Sequence, residues 1–508
     1  MVQLHPQQSE VSNLSAENQY FEASDQQTDI SSSLPMPTAS ARTSRGTSFR
    51  TSGDESSSIV NRSSQTLYTT EIKPGDDELI FTKRVVHSKR ITLGAEVEKP
   101  WLKSKSRKKL KIINYIVLLG FVLGLAVIGV LGYFAYADIS NFKFCEVLVD
   151  DFLEFNKNVW EREVQVGGFG TGAFDWTTDL DRNSFVKNGK LFILPTLTNE
   201  TIDNDDISNG YTVNLTTDGT CTGSGGAQCW IRSNSTTGAI IPPVQSARLN
   251  TKSSASIKYG KVEVRAKLPK GDWLWPAIWL LPKNNTYGPW PASGEIDIAE
   301  SRGNGVHYPM GGHDVISSSL HWGPDVAQDQ YLRTTSHSTQ RLGMFSSTFH
   351  VYGLEWNEKY IKSYIDGRLR QVLYHGFKKP FWDFGHFSTT YQNGTVIQNP
   401  WPLNNKIAPF DQEFFLVLNV AVGGTNGFFP DSMGDKPWTN AQETTAPRSF
   451  WSAVSSWYPT WPQKEEDRAL VVDYVKMYKI CSTTEKNQKR DTFLKPFSWM
   501  VPFLRFKK

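Results

Sequence analysis

Apolar positions follow different rhythms in different stretches of this chain, and each rhythm predicts a different element. From Ser31 to Thr70 serine and threonine recur without apolar periodicity. Residues 1–100 therefore read as a disordered tail, with too little apolar surface to offset the entropy of ordering. The short pairs Leu79–Ile80 and Val85–Val86 do not alter that reading. An unbroken apolar run from Ile112 to Ala137 follows, with no charged residue in it. It exceeds the ~20 residues that a helix needs to cross a bilayer, and it lies too far along the chain for a cleaved signal peptide. Beyond it the period becomes two. Val262, Val264, Ala266 and Leu268 alternate along one segment, and Val471 to Tyr478 alternates likewise. Tyr360 to Gly367 reads as a strand entering a turn, and Phe414 to Gly424 as a buried strand. Short strands between Gly, Pro and Asn turns, without long amphipathic helices, predict an all-β sandwich.

Charge gives the apolar run a direction. Lys103, Lys105, Arg107, Lys108, Lys109 and Lys111 precede it, while Asp138, Glu146, Asp150 and Asp151 follow. The positive-inside rule puts the N-terminal side in the cytoplasm and residues 138–508 in the lumen or outside, as in a single-pass type II protein. Acceptor sequons at Asn199, Asn214, Asn234, Asn284 and Asn393 fall beyond the span, although Asn13 and Asn61 match on the other side. All four cysteines also lie beyond it, in a disulfide-permissive compartment. Of the three pairings that four cysteines allow, we favour Cys221–Cys229, closing a Gly-rich loop, and Cys145–Cys481, clasping the ends of the domain. There is no Cys-x-x-Cys, and the scattered histidines have no metal-ligand spacing, so no metal is expected.

The formal net charge of +3 is slight and sits largely beside the span and in the tail Phe493 to Lys508, which argues against a nucleic-acid partner. Lysines beside a bilayer suit anionic lipid, so the lipid bilayer is the expected partner there. The expected order is a cytoplasmic tail with a basic juxtamembrane end (1–111), the transmembrane helix (112–137), a luminal stem (138–154), the folded domain (155–480) and a basic, aromatic tail (481–508).

The candidate chemistry is concentrated in Gly294-Glu-Ile-Asp-Ile-Ala-Glu300. In a regular strand Glu295 and Asp297 share a face and Glu300 falls on the other. A β-bulge around Ile298–Ala299 returns Glu300 to their side. Two glutamates so placed suit retaining glycoside hydrolysis, in which carboxyl groups about 5–5.5 Å apart act as nucleophile and acid/base. A solvated edge strand can carry such acids too, but the surroundings argue otherwise. Gly271 to Pro282, Tyr287, Trp290 and His321-Trp322 crowd the region with aromatics, as a sugar-binding cleft requires. Ile278 and Leu280 are assigned to the core, and Trp275, Trp290 and Trp322 to the cleft. Like charges in one site raise one member's pKa, which would keep one glutamate protonated as the acid.

With these segments in view, the chain resembles glycoside hydrolase family 16, in its laminarinase-like, endo-β-1,3-glucanase branch as found in fungal membrane-anchored proteins. The matching stretches are Tyr259 to Pro269, Trp275 to Pro282, Gly294 to Glu300, His321 to Gly323, Asn419 to Gly424 and Val472 to Tyr478. The resemblance implies a concanavalin A-like β-jelly roll over 155–480 with a cleft on its concave face. It makes Glu295 the nucleophile, Asp297 the assisting carboxylate and Glu300 the acid/base. It places Trp275, Trp279, His321 and Asn419 near the sugar, beside Trp290 and Trp322, with Ser301 to Gly305 shaping one edge. β-Glucan is then the partner, and no cofactor is required, although a structural calcium would be compatible. Ala299 departs from the Met, Ile or Phe often found at the bulge. The resemblance also sets the rivals: a glucan transglycosylase of cell-wall β-1,3/β-1,6-glucan assembly, or a non-catalytic glucan-binding or assembly scaffold. The sequence carries no signal for oligomeric state.

Overall fold

The computed structural model describes residues 64–71, 80–87, 96, 98–100, 106–138 and 142–482. The expectations for the rest of the N-terminal tail, including Asn13, Asn61, Lys103 and Lys105, and for the C-terminal tail after Ser482 lie outside the described residues. Within the N-terminal stretch, Ser64–Glu71 and Ile80–His87 pair antiparallel from Ser64↔His87 to Glu71↔Ile80. This ladder stands where no regular element was expected. Both segments are rich in the threonine, valine and aromatic residues that favour strands, a local signal that the surrounding serine content masked.

A single helix, Ser106–Asp138, contains the apolar run and extends beyond it on the N-terminal side. Its stretch Lys111–Tyr133, of 23 residues, is long and apolar enough to cross a membrane, and none of it is buried against protein. At 1.5 Å rise per residue it spans about 34 Å, against about 30 Å of hydrocarbon.

Residues 142–482 contain two eight-stranded sheets packed face to face, together with one three-stranded and one two-stranded sheet. The first runs in the order Thr335–Thr339, Val315–His321, Glu295–Glu300, Leu274–Pro282, Phe414–Val422, Arg248–Asn250 and Glu161–Arg162, with Ser256–Ile257 also pairing on Phe414–Val422. The second runs Gln371–Gly376, Tyr360–Ile365, His350–Trp356, Gly260–Lys267, Leu470–Ser482, Leu191–Ile193 and Ser184–Val186, with Lys143–Asp150 added to Leu470–Ser482. This is the expected β-jelly-roll sandwich. Period-two alternation decides which residues fill it: Val262, Val264 and Ala266 from the second sheet meet Ile278, Leu280, Ile296 and Leu320 from the first in one core, all essentially inaccessible.

The domain boundaries need correction. Lys143–Asp150, assigned to a luminal stem, is a strand of the second sheet, and its partner strand continues to Ser482. The folded domain therefore starts near residue 142, not 155. Short runs such as Val147 to Val149 give little alternation to read, and the register is held instead by long-range pairing and a covalent clasp. That clasp is Cys145–Cys481, and Cys221–Cys229 is the other bridge, so the favoured pairing is the one present.

Candidate active site

Glu295–Glu300 lies inside the first sheet, between Leu274–Pro282 and Val315–His321. Against the first neighbour Ala277 pairs with Glu300 and Ile278 with Ala299, but Trp279 pairs with Asp297, so Ile298 is the extra residue. Against the second, Glu295 pairs with His321, Asp297 with Ser319 and Glu300 with Ser317. Residues 317, 319 and 321 alternate along one face, so their three acidic partners share that face. The expected bulge is present, and it performs the expected re-aiming.

Two tryptophans reach these acids from opposite ends. The indole N–H of Trp290 donates to Glu295 Oε2 at 2.8 Å, and that of Trp275 donates to Glu300 Oε1 at 2.9 Å. Trp275 lies flat on Phe428, with ring centroids 4.0 Å apart, and the Arg302 guanidinium lies 4.1 Å from the Phe428 ring centroid. Arg302 also donates twice to the Phe428 carbonyl, tying the 301–305 segment to the loop after Phe414–Val422 as the cleft edge. Trp279 is half-buried on the same sheet; its N–H donates to Asn419 Oδ1 at 2.7 Å, and the Arg248 guanidinium lies 4.7 Å from its ring. Arg248 is itself held by Glu163 at 2.8 Å and stacks on Phe169.

His321 stands beside Asp297, with Nε2 3.2 Å from Asp297 Oδ2 and 3.9 Å from Glu295 Oε1. Its Nδ1 lies 2.5 Å from Asp329 Oδ2. Asp329 is pinned by the backbone N–H groups of Trp322 and Tyr331 to its other oxygen. Tyr331 stacks on the imidazole at 4.9 Å, and Trp290 approaches it at 5.5 Å.

Trp322 does not join them. It is completely buried among Phe381, Phe384 and Phe387, with its N–H on Thr334 Oγ1. The assignment of Trp322 to the cleft is thus corrected: next to His321, which faces the acids, the following residue turns to the core. Trp275, Trp279, Trp290, His321 and Asn419 do lie on the acid-bearing side. Asp329, Tyr331, Phe428 and Arg248 were not singled out in the sequence. They come from three separate segments and carry no spacing signal, except that Asp329 and Tyr331 follow the His-Trp-Gly stretch closely.

The charges are tightly linked. Burial raises the pKa of Glu295, and the Asp297 charge raises it further, against the pull of His321 and the Trp290 N–H. Burial and the Glu300 charge likewise raise Asp297. Burial raises Glu300, opposed by His321, by the Trp275 N–H and by Arg302. Burial alone would lower His321, but its bonds to Asp297 and Asp329 and the nearby carboxylates carry it well above an ordinary histidine. That shift favours the charged imidazole, which would offset part of the crowded negative charge. Glu295, Asp297 and His321 present ligand atoms within 4.8 Å of one another.

Comparison with known proteins follows this geometry. The family Glycosyl hydrolases family 16 matches residues 200–400. The chain is 41% identical to the Beta-1,3-glucan-binding protein of Penaeus monodon over 349 residues, 67% of this chain and 92% of that one. It is 34% identical to the Beta-1,3-glucan-binding protein of Tenebrio molitor, over 65% of each. It is 38% identical to Glucan endo-1,3-beta-glucosidase A1 of Niallia circulans over 179 residues, 35% of this chain and 22% of that one. Among solved structures, the laminarinase from Rhodothermus marinus is 26% identical, with 67% of this chain and 100% of that chain covered and a TM-score of 0.40. The chain belongs to glycosyl hydrolases family 16.

Proposed function

We propose that this protein is a retaining glycoside hydrolase that acts on β-1,3-linked glucan through a covalent glycosyl-enzyme. The observation that carries the reading is the bulged strand that presents Glu295, Asp297 and Glu300 on one face, with an indole N–H on each glutamate. Glu295 attacks the anomeric carbon as Glu300 protonates the departing glycosidic oxygen. Glu300 then takes a proton from water, which attacks the same carbon and frees Glu295 with net retention. Asp297 and His321 set the charge around the nucleophile. Trp290 and Tyr331 supply flat faces for the sugar rings, Trp275, buried against Phe428, holds Glu300, and no cofactor is required.

Attack by a sugar hydroxyl in place of water would make the same site a transglycosylase. A non-catalytic reading has its own support, since relatives of high identity carry the name glucan-binding protein. The intact acid set favours the enzyme.

The apolar helix supports anchoring in a bilayer, and the basic residues before it support a type II topology with residues 142–482 on the luminal or outer side.

The test uses the full chain in detergent micelles, wild type beside Glu295→Gln, incubated with laminari-oligosaccharides. Shorter products from the wild type and none from the variant are expected. Products longer than the donor would reassign it as a transglycosylase. Binding without turnover in both proteins would move it to the recognition class.

A further inference from the structure

The bulge that aims Glu300 has a counterpart across the core. Between the pairs Asp297↔Ser319 and Glu300↔Ser317, the two residues Ile298 and Ala299 oppose the single residue Ser318. In the other sheet, between Lys362↔Tyr374 and Tyr364↔Gln371, Val372 and Leu373 oppose the single residue Ser363. Each bulge therefore faces a serine, and the two serines meet in the interior, at 0% and 1% exposure.

Their hydrogen bonds form one directed run. Leu373 N–H donates to Ser363 Oγ at 3.0 Å. Ser363 Oγ donates to Ser318 Oγ at 2.8 Å, and Ser318 Oγ donates to the carbonyl of Ile298 at 2.6 Å. Each hydroxyl gives one bond and takes one, so a backbone donor in one bulge is linked to a backbone acceptor in the other. The same strands otherwise turn apolar residues inward here: Ile316 and Leu320 beside Ser318, and Ile361 and Ile365 beside Ser363. Packing alone does not ask for hydroxyls at these two places. An extra residue in a strand is a local interruption of the ladder, and its conformation needs fixing from outside.

We propose that Ser318 and Ser363 are positioning residues for Glu300. The hydroxyl pair fixes the Ile298 carbonyl and, through the two following peptide units, the direction in which Glu300 leaves the strand. This rests on the reading of Glu300 as acid/base given above. Neither serine faces the cleft, so their effect reaches the substrate only through that glutamate.

The experiment compares wild type, Ser318→Ala and Ser363→Ala, each as the full chain in detergent, on two substrates. Laminari-oligosaccharides have a leaving sugar that needs protonation. A 2,4-dinitrophenyl β-laminarioside has a leaving group that departs without it, and its initial burst reads the first step alone. General acid catalysis contributes roughly 10²–10⁴-fold, and a misaimed acid forfeits part of that. Ser318→Ala should lose about tenfold to a hundredfold in kcat on the oligosaccharide at nearly unchanged KM, with the dinitrophenyl burst within about twofold of wild type. Ser363→Ala should shift the same ratio less, because Ser318 keeps its own bond to Ile298. Equal losses on both substrates, or none on either, would overturn the proposal and leave the serines as ordinary core polar groups. If Ser318→Ala does not fold, Ser363→Ala is judged by the same ratio. A folded wild type that turns over neither substrate would instead sink the enzymatic reading, and the proposal with it.

Discussion

Trp275 donates its indole N–H to Glu300 and lies flat on Phe428, so one side chain both tunes an acid and builds a wall. The two roles separate in Trp275→Phe, which keeps an aromatic face and removes the donor. That donor favours the ionised glutamate, so its loss raises the pKa of Glu300 further. A catalytic acid must be protonated to work; the alkaline limb of the pH–activity profile should therefore move to higher pH in the variant, as a pH series of kcat/KM would reveal. An unmoved limb would detach Glu300 from the acid role. Trp322 gives the opposite case. Its ring sits wholly in the core against Phe381, Phe384 and Phe387, so Trp322→Ala should cost about 3–5 kcal/mol of stability. Thermal unfolding should report that loss, while oligosaccharide affinity of the folded fraction stays near wild type. The sequence assigned Trp275 and Trp322 to the same cleft because both flank the acid motif at close range. Only the strand's alternation, counted from His321, separates them.

At the scale of elements, the central strands of the second sheet were readable because they alternate cleanly: Gly260–Lys267 and Leu470–Ser482 turn up where period two predicts them. The bulge was readable for the same reason, since without it Glu300 falls on the wrong face. Lys143–Asp150 escaped because its placement depends on a partner more than 300 residues away, which no local pattern encodes. The charge partner Asp329 escaped likewise: it reaches His321 through loop geometry. The two disulfides act on elements very differently. Cys145–Cys481 spans 336 residues and ties the first strand of the domain to the last, whereas Cys221–Cys229 spans 8 residues within a loop. By the chain-entropy relation the long bridge contributes up to about 6 kcal/mol and the short one up to about 2.5 kcal/mol. Cys145→Ser with Cys481→Ser should therefore lower the Tm well below that of Cys221→Ser with Cys229→Ser, as differential scanning of the two double variants would show. Equal losses would mean that the pairing on Leu470–Ser482 holds Lys143–Asp150 without covalent help.

For the whole molecule, the proposed type II topology would decide what the site can meet. Lys108, Lys109 and Lys111 lead into the apolar helix, and acids such as Asp150 and Asp151 follow it. The topology proposed from that asymmetry puts residues 142–482 on the luminal or outer side, where an oxidising environment would suit the two disulfides. The sequons make the orientation measurable, because N-linked glycans are added on the luminal side alone. Asn199, Asn234, Asn284 and Asn393 are exposed on the folded domain, and Asn214 is half-buried with its side-chain oxygen taking the N–H groups of Thr216 and Thr217. Asn13 and Asn61 lie on the other side of the helix in sequence. In cells with a secretory pathway, replacing Asn199, Asn234, Asn284 or Asn393 by Gln should each remove one endoglycosidase-sensitive step in apparent mass. Replacing Asn13 and Asn61 should leave the mass unchanged. The reverse pattern would place the acid-bearing domain in the cytoplasm, away from glucan, and would require another substrate for a site built as this one is.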